Sequence, residues 1–146
     1  MRNFNGLMVV ISALANVSVS RLKKTFALLE KEEENFRVKL STMPEKNFSK
    51  LRKMMGEAKA PSIPYIGAFV KDLTSVAELD TKIKGIWNLR KLQLVAQAIF
   101  SITKHHKVFY WFQEIPQIQS FILNEPRLSD EEAWQRSCVL EPREKK

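Results

Sequence analysis

The sequence predicts an all-α fold of several helices, and three observations support this class. Apolar residues recur at helical spacing along most of the chain, strand-forming runs are scarce, and only 4 of the 146 residues are glycine. Hydrophobic residues make up 45% and charged residues 27%, which is typical of a folded domain and not of a disordered segment. A chain of this length and composition is expected to form a single domain.

The first fifty residues predict two helices and the beginning of a third. The first helix is expected to be deeply buried, because Val9 and Val10 add apolar sides to a stripe of Phe4, Leu7, Met8, Ile11 and Leu14. The second is amphipathic, with residues 31–34 as a charged continuation and an apolar stripe of Val19, Leu22, Phe26 and Leu29. Pro44 breaks the chain, and Asn47 is a candidate N-cap for a third helix along Phe48, Leu51, Met54, Met55 and Ala58.

Residues 61–78 predict a helix with two opposed faces, which begins after Pro61 and Pro64. The apolar stripe consists of Ile66, Phe69, Leu73 and Val76, and the polar stripe of Lys71, Thr74 and Glu78. An ordinary surface helix would show the same separation, so the pattern alone does not assign a function.

A polar loop over residues 80–85 is expected next, followed by a long helix capped by Asn88. The apolar stripe of this helix is predicted to comprise Leu89, Leu92, Ala96, Ile99 and Thr103. Packing this stripe on the preceding helix would form an antiparallel helical hairpin over residues 66–103. Pro116 opens a short helix through Ile118, Phe121 and Ile122, and residues 129–132 (Ser-Asp-Glu-Glu) predict a capping box for a last helix.

The net charge and the cysteine content indicate the cellular compartment in which the chain is expected. The formal net charge of +8 comes from 24 basic and 16 acidic residues, and the basic residues are dispersed, which is typical of solvated helix faces. The single cysteine, Cys138, excludes an internal disulfide framework and is interpreted as a small apolar residue in a reducing cytosol. The start of the sequence lacks a secretion signal, and no apolar run is long enough for a membrane span. A cytoplasmic location is expected.

The sequence contains few signals for binding a nucleotide, a metal ion or a nucleic acid. There is no Gly-rich phosphate loop, so neither a bound nucleotide nor another cofactor is expected. His105 and His106 are adjacent and would point about 100° apart on a helix, so we interpret them as an exposed helix end and predict no metal site. The aromatic run at residues 109–112, beside Lys104 and Lys107, could stack on nucleic-acid bases. Core packing is the favoured interpretation of that run, and no nucleic-acid partner is expected.

Six short signatures occur in one order along the chain. They are residues 3–8 (Asn-Phe-Asn-Gly-Leu-Met), 19–26 (Val-Ser-Arg-Leu-Lys-Lys-Thr-Phe), 47–48 (Asn-Phe), 63–67 (Ile-Pro-Tyr-Ile-Gly), 71–74 (Lys-Asp-Leu-Thr) and 140–143 (Leu-Glu-Pro-Arg). Together they resemble the catalytic domain of Ras-family guanine-nucleotide exchange factors, the RasGEF domain. The resemblance implies that residues 1–146 form the C-terminal part of such a domain, with its N-terminal part missing.

The resemblance also implies roles for particular residues. In that family a protruding helical hairpin, here residues 66–103, inserts between the switch segments of a Ras-like small GTPase. Glu78 and Thr74 match the positions beside the GTPase phosphates and magnesium. Tyr65, Phe48, Asn16 and Lys71 are implied to contact the GTPase, and Asn88, Leu89 and Leu92 to support the hairpin.

The implied activity is guanine-nucleotide exchange without covalent chemistry, so the chain is not expected to be an enzyme in the classical sense. A carboxylate brought to the Mg²⁺–GDP site repels the phosphates, and tighter binding to the nucleotide-free GTPase drives release. The chain would then act at the cytoplasmic face of membranes, to which it could be recruited. A non-catalytic module that binds a GTPase or an adaptor is the alternative, because Phe48 stands where relatives commonly carry tyrosine and Glu78 is the sole carboxylate of residues 77–79.

Overall fold

The computed structural model describes residues 2–143, apart from the side chains of His106 and Lys107. Predictions that concern those two side chains or the C-terminal lysines lie outside the described residues. The elements are α1 (Phe4–Ala15), α2 (Val17–Ser20), α3 (Lys23–Phe26), α4 (Lys31–Ser41), α5 (Glu45–Glu57), α6 (Ile66–Ala77), β1 (Lys82–Ile83), β2 (Ile86–Trp87), α7 (Leu89–Thr103), a 3₁₀ turn (Lys104–Lys107), α8 (Pro116–Asn124) and α9 (Asp130–Leu140). The all-α prediction is confirmed.

The chain forms two compact units. The first contains the described residues up to Val9 together with Thr42–Tyr110, and the second contains Val10–Ser41 together with the described residues from Trp111 onward. In the first unit, Leu51 is completely buried, and Phe69 and Val76 of α6 are buried with Ala98 of α7. These side chains form a small apolar core that holds α5, α6 and α7.

Helix α1 is less buried than the sequence predicts. Phe4, Met8 and Ile11 are buried, whereas Val9 and Val10 are 62% and 52% exposed. The prediction of a deeply buried helix is therefore wrong, because successive residues on a helix point about 100° apart and only one face is covered in this chain. The N–H of Phe4 donates to the Ile63 carbonyl at 2.8 Å, which ties the start of α1 to the segment before α6.

Helix α5 begins earlier than expected and contains a kink. Pro44 is its N-cap residue, and Lys46, Asn47 and Phe48 have positive φ angles of 47°, 55° and 60°. Asn47 is therefore not the N-cap, and that prediction is wrong. Asparagine tolerates the left-handed region better than most residues, so it accommodates the kink instead of starting a helix.

Helices α6 and α7 are antiparallel neighbours in the first unit. The Lys91 ammonium in the first turn of α7 donates to the carbonyls of Ala77 and Leu79 at the end of α6, at 3.3 and 2.7 Å. At the other end, Phe69 lines a cavity together with Lys104 and His105. Protrusion of this helix pair from a larger domain stays a prediction.

The face of α7 that packs on α6 differs from the predicted stripe. Leu89, Leu92 and Ile99 are 73%, 49% and 50% exposed, whereas Ala98 is only 8% exposed. Leu94, Ala98 and Ser101 instead face Phe69 and Val76 of α6. The helix carries more than one apolar stripe at helical spacing, so the period alone does not select the stripe that lies against α6.

The connection between α6 and α7 was expected to be a polar loop, but it contains a small β-hairpin. Lys82 pairs with Trp87 and Ile83 with Ile86 in an antiparallel ladder. Lys84 and Gly85 form the turn, and both have positive φ angles, 50° and 82°. Such angles match the two-residue turns that suit the twist of a hairpin.

In the second unit, the predicted amphipathic helix over residues 19–29 is interrupted. It consists of two single-turn helices, α2 and α3, and the residues after Leu29 begin a separate helix, α4. The break lies at Arg21 and Leu22. Leu22 has non-helical φ and ψ of −76° and 61°, whereas Arg21 keeps helical backbone angles. The Arg21 guanidinium donates to the carbonyls of Ser137 and Glu141 at 2.6 and 2.8 Å.

The C-terminal helices begin where the sequence predicts them. Pro116 opens α8, and the Ser129–Glu132 capping box is present at the start of α9. The aromatic run, however, is not core. Phe109, Trp111 and Phe112 are 82%, 97% and 62% exposed, so the core-packing interpretation is wrong for them.

His105 also corrects an expectation. It is 5% exposed and not part of an exposed helix end. Its Nδ1 forms a hydrogen bond of 2.5 Å with the hydroxyl of the buried Ser62. His105 lies in the 3₁₀ turn that follows α7 and not in an α-helix, so extrapolating the helical period did not give the direction of its ring.

Candidate functional site

The polar face of α6 is exposed along its whole length. Lys71, Thr74 and Glu78 are exposed, whereas Phe69 and Val76 on the opposite side are buried. The Thr74 hydroxyl donates to the Val70 carbonyl one turn earlier, at 2.9 Å. From Lys71 to Glu78 this face extends about 10 Å at the helical rise of 1.5 Å per residue.

Glu78 lies just beyond the last residue of α6. It is the C-cap residue, with φ and ψ of −67° and −18°, and its N–H bonds the Val76 carbonyl. Its side chain is exposed and makes none of the described hydrogen bonds or ion pairs within residues 2–143. A carboxylate in this position remains available to a second molecule.

An aromatic cluster lies at the beginning of the polar face. The rings of Phe48 and Tyr65 pack edge to face, with centroids 5.3 Å apart and planes inclined by 61°. The ammonium of Lys71 is 5.9 Å from the centroid of the Phe48 ring. Three residues that the resemblance implied to contact a GTPase therefore lie together, on α5, before α6 and on α6. Favourable edge-to-face and cation–π interactions stabilise this arrangement.

Gly67 is required for the position of Tyr65, and the sequence analysis gave it no role. A β-carbon at position 67 would lie 2.5 Å from both Cζ and the hydroxyl oxygen of Tyr65. The glycine therefore leaves the space that the tyrosine ring occupies over the first turn of α6. The Ile66–Gly67 pair after the Pro-Tyr dipeptide was the available signal.

Arg52 is a second residue that the sequence analysis missed. Its guanidinium makes a bidentate ion pair with Asp72 on α6, at 2.6 and 2.9 Å. The same group donates to the carbonyls of Ala68 and Asn47, both at 2.9 Å. A separation of 20 residues between Arg52 and Asp72 leaves no periodic signal for this pairing.

The start of α7 is organised by Asn88, as predicted. Its side-chain oxygen accepts from the Lys91 N–H at 3.1 Å, and its amide donates to the Asp80 carbonyl at 2.9 Å. Asn88 thus caps one helix and holds the chain that leaves the other. Leu89 and Leu92 are on the exposed side of α7, so neither packs between the two helices.

Asn16 belongs to the second unit. Its side-chain oxygen accepts from the Ser18 N–H at 2.8 Å and caps α2. This local role accounts for the residue in the described chain. A contact with a GTPase stays a prediction.

The exposed Lys71, Thr74 and Glu78 supply a cation, a hydroxyl and a carboxylate, and the half-buried Phe48 and Tyr65 supply aromatic surface beside them. This set suits recognition of a protein surface. Within residues 2–143 there is no group of three histidine, cysteine, aspartate or glutamate side chains arranged to hold a metal ion. None of the helices in this same part of the chain is long and apolar enough to cross a membrane.

Comparison with known proteins identifies the same family that the six sequence motifs resemble. The family model described as the RasGEF domain matches residues 1–93, and the chain belongs to this family. It is 32% identical to Ras guanine nucleotide exchange factor P of Dictyostelium discoideum over 148 aligned positions, which cover 99% of the chain and 10% of that protein. It is 27% identical to Ras-specific guanine nucleotide-releasing factor 2 of Mus musculus, over 98% of the chain and 12% of that protein.

The chain thus spans only about a tenth of the length of these curated relatives. Their names describe a Ras guanine nucleotide exchange factor and a Ras-specific guanine nucleotide-releasing factor.

Proposed function

We propose that the chain is a guanine-nucleotide exchange module that promotes GDP release from a Ras-like small GTPase. The observation that carries the proposal is the exposed face of Lys71, Thr74 and Glu78, which begins beside the Phe48–Tyr65 cluster. Family membership supplies the class of partner. The same proposal places the protein in the cytoplasm, acting on a GTPase at the membrane surface.

In the proposed mechanism, the aromatic cluster binds the GTPase and the far end of α6 displaces the nucleotide. Phe48 and Tyr65 provide apolar contact area, and Lys71 provides a positive charge beside them. Glu78 then places a negative charge near the phosphates and Mg²⁺, while Thr74 occupies space near the metal. Because phosphate and carboxylate repel each other, this geometry favours the nucleotide-free GTPase over the GDP-bound form.

In this mechanism, GDP and the exchange module are two ligands of the GTPase, and their binding is coupled. Each ligand lowers the affinity of the other, and such couplings are typically about 5- to 150-fold. The residues on α6 need no proton transfer, so their contribution resides in differential binding. A rigid connection between the aromatic cluster and Glu78 is then essential, since a flexible helix could retreat from the nucleotide.

Release of fluorescent GDP from a panel of Ras-like GTPases tests the proposal. We expect the wild-type chain to accelerate release, and the Thr74→Ala/Glu78→Ala double variant to lose at least about fivefold of the acceleration. Thr103→Ala/Glu125→Ala is a matched control, because both residues are exposed and lie off α6. Equal acceleration by the wild type and the α6 double variant would contradict the assigned roles.

A non-catalytic GTPase- or adaptor-binding module is the second candidate. It is favoured by Phe48, whose ring packs on Tyr65 but has no hydroxyl, and by Glu78 as the sole carboxylate of residues 77–79. Binding affinities separate the two candidates. An exchange module binds nucleotide-free GTPase more tightly than the GDP-bound form, whereas a passive module binds both equally.

A further inference from the structure

We infer that Arg52 is a positioning residue, which sets the working face of α6 relative to the aromatic cluster; this inference rests on the proposed function. Arg52 lies on α5, four residues after Phe48, and contacts neither the aromatic cluster nor Glu78 directly among the described contacts. Its influence would therefore pass through the backbone and side chains that it bonds.

Arg52 connects two parts of the site. One nitrogen, Nε, donates to the carbonyl of Asn47, the residue immediately before Phe48 in the left-handed kink. The two terminal nitrogens bond Asp72, which lies between Lys71 and Thr74, and one of them also bonds the Ala68 carbonyl one turn earlier. A single planar group thus holds the kink and two turns of α6.

The chemistry of the guanidinium is specific for this task. Its donors lie in one plane at fixed angles, so the bidentate pair with Asp72 and the bond to Asn47 restrain orientation as well as distance. A lysine ammonium is a point donor on a flexible stem and cannot reach these acceptors in the same geometry. Charge alone would therefore not replace Arg52.

The surroundings explain why this restraint is needed. Arg52 and Asp72 line a cavity of about 360 Å³ whose other walls come from α6 and α7, including Phe69, Ala98 and Ser101. Arg52 also lines a second cavity of about 160 Å³ with Met55 and Lys104. Both spaces open to solvent, so side-chain packing covers this side of α6 only in part. The Arg52 bonds supply the missing restraint.

The test compares Arg52→Lys and Asp72→Asn with Lys53→Gln. Lys53 is the next residue on α5 and is exposed, so its variant controls for an altered basic side chain on the same helix. We expect both Arg52→Lys and Asp72→Asn to lower the maximal rate of GDP release at least tenfold, about the effect of a small misplacement of a working group. Lys53→Gln should leave that rate unchanged. Thermal melting of each variant identifies simple unfolding.

A spectroscopic measurement makes the test independent of exchange activity. The chain has two tyrosines, Tyr65 and Tyr110, so labelling with 3-fluorotyrosine gives two ¹⁹F resonances, which Tyr110→Phe assigns. We expect Arg52→Lys to shift the Tyr65 resonance, because Tyr65 packs on Phe48 beside the released Asn47 carbonyl. Lys53→Gln should not shift it.

The outcomes distinguish the positioning role from the proposed function. Exchange by the wild type together with unchanged release by folded Arg52→Lys would overturn the positioning role and leave the proposed function intact. A wild type that accelerates no GTPase would contradict the proposed function, and the Tyr65 resonance would then decide the inference by itself. An unshifted Tyr65 resonance in Arg52→Lys would overturn it.

Discussion

Thr25 and Glu141 are joined by two hydrogen bonds to the same carboxylate oxygen. The Thr25 N–H and hydroxyl donate to Oε1 of Glu141 at 2.6 and 2.8 Å, and the Lys24 N–H donates to the other oxygen at 3.2 Å. Glu141 therefore caps α3 from a position 116 residues further along the chain. Arg21 bonds the Glu141 carbonyl from the other side. Two of the family motifs, residues 19–26 and 140–143, thus bind each other in the second unit.

The contact between Thr25 and Glu141 predicts that the folded chain is less stable at acidic pH. Partial burial acts to raise the pKa of Glu141, but the hydrogen bonds from Thr25 and Lys24 lower it, and the net pKa lies below the ordinary 4.5. A carboxyl with a lowered folded pKa stabilises the protein fully above its unfolded pKa. That contribution disappears as the pH falls below about 4.5 through the folded pKa.

Glu141→Gln provides the measurement. The variant should be less stable than the wild type at pH 7 and should lose less stability between pH 5 and pH 3, both to be determined by urea unfolding. Arg37 lowers the pKa of Glu34, and the Ser129 N–H and hydroxyl lower that of Glu132, so some acid sensitivity will remain. Glu125→Gln, at an exposed position, is the control. The prediction would be contradicted if the free energy of unfolding changed equally with pH in Glu141→Gln and in the wild type.

Gly67→Ala should separate stability from binding. Alanine is about 1 kcal/mol more favourable than glycine within a helix, but its β-carbon would overlap the Tyr65 ring at 2.5 Å. We therefore expect nearly unchanged melting together with weaker GTPase binding, because the ring is displaced from Phe48. Gly56→Ala is the matched control, since a β-carbon there has no atom within 4 Å. Equal binding by the two variants would exclude a role for Gly67 in positioning Tyr65.

Asn88→Ala should destabilise the start of α7 by about 1 kcal/mol, the usual effect of losing an N-cap. Asn88→Asp keeps the oxygen that accepts from the Lys91 N–H and loses the amide that donates to the Asp80 carbonyl. The aspartate variant should therefore retain most of the stability. Unfolding in urea measures both values. A larger loss in Asn88→Asp than in Asn88→Ala would show that the bond to Asp80 matters more than the cap.

The orientation of α7 is tested by two truncations. Phe69→Ala removes a buried ring between α6 and α7 and should cost about 3 kcal/mol. Leu89→Ala alters a side chain that is 73% exposed and should cost no more than about 0.5 kcal/mol. Urea unfolding measures the loss of unfolding free energy in each variant, and the two losses are compared. A cost for Leu89→Ala that approaches the cost for Phe69→Ala would restore the originally predicted packing stripe.

Elements defined by neighbouring residues were predictable. Asn88 and Ser129 cap the helices that follow them, and both bonds span three residues. The polar face of α6 was also visible, because Lys71, Thr74 and Glu78 lie at helical spacing. By contrast, the stripe of α7 was assigned to the wrong side, since Leu89 and Leu92 satisfy the same period as Leu94 and Ala98. Periodicity identifies a helix but does not choose among several apolar faces.

For the candidate site, the sequence indicated individual residues and the resemblance indicated their roles. Neither the sequence nor the resemblance placed Phe48, Tyr65 and Lys71 in one cluster. Neither indicated the roles of Arg52 and Gly67. The kink at residues 46–48 was read as an N-cap, because asparagine favours both caps and left-handed backbone. Neither Gly67 nor Arg52 could be assigned a role before the neighbouring Tyr65 ring and the Asp72 carboxylate were located.

The amino-acid sequence alone determined the helical class, the caps at Asn88 and Ser129 and the two faces of α6, because the relevant interactions act between residues one or two helical turns apart. Only the tertiary structure decided that Arg52 binds Asp72, that Glu141 caps α3, and that His105 is buried against Ser62. These pairs are 20, 116 and 43 residues apart. Such partners are chosen by the packing of whole elements and by the entropy of closing the chain between them, which no local pattern encodes.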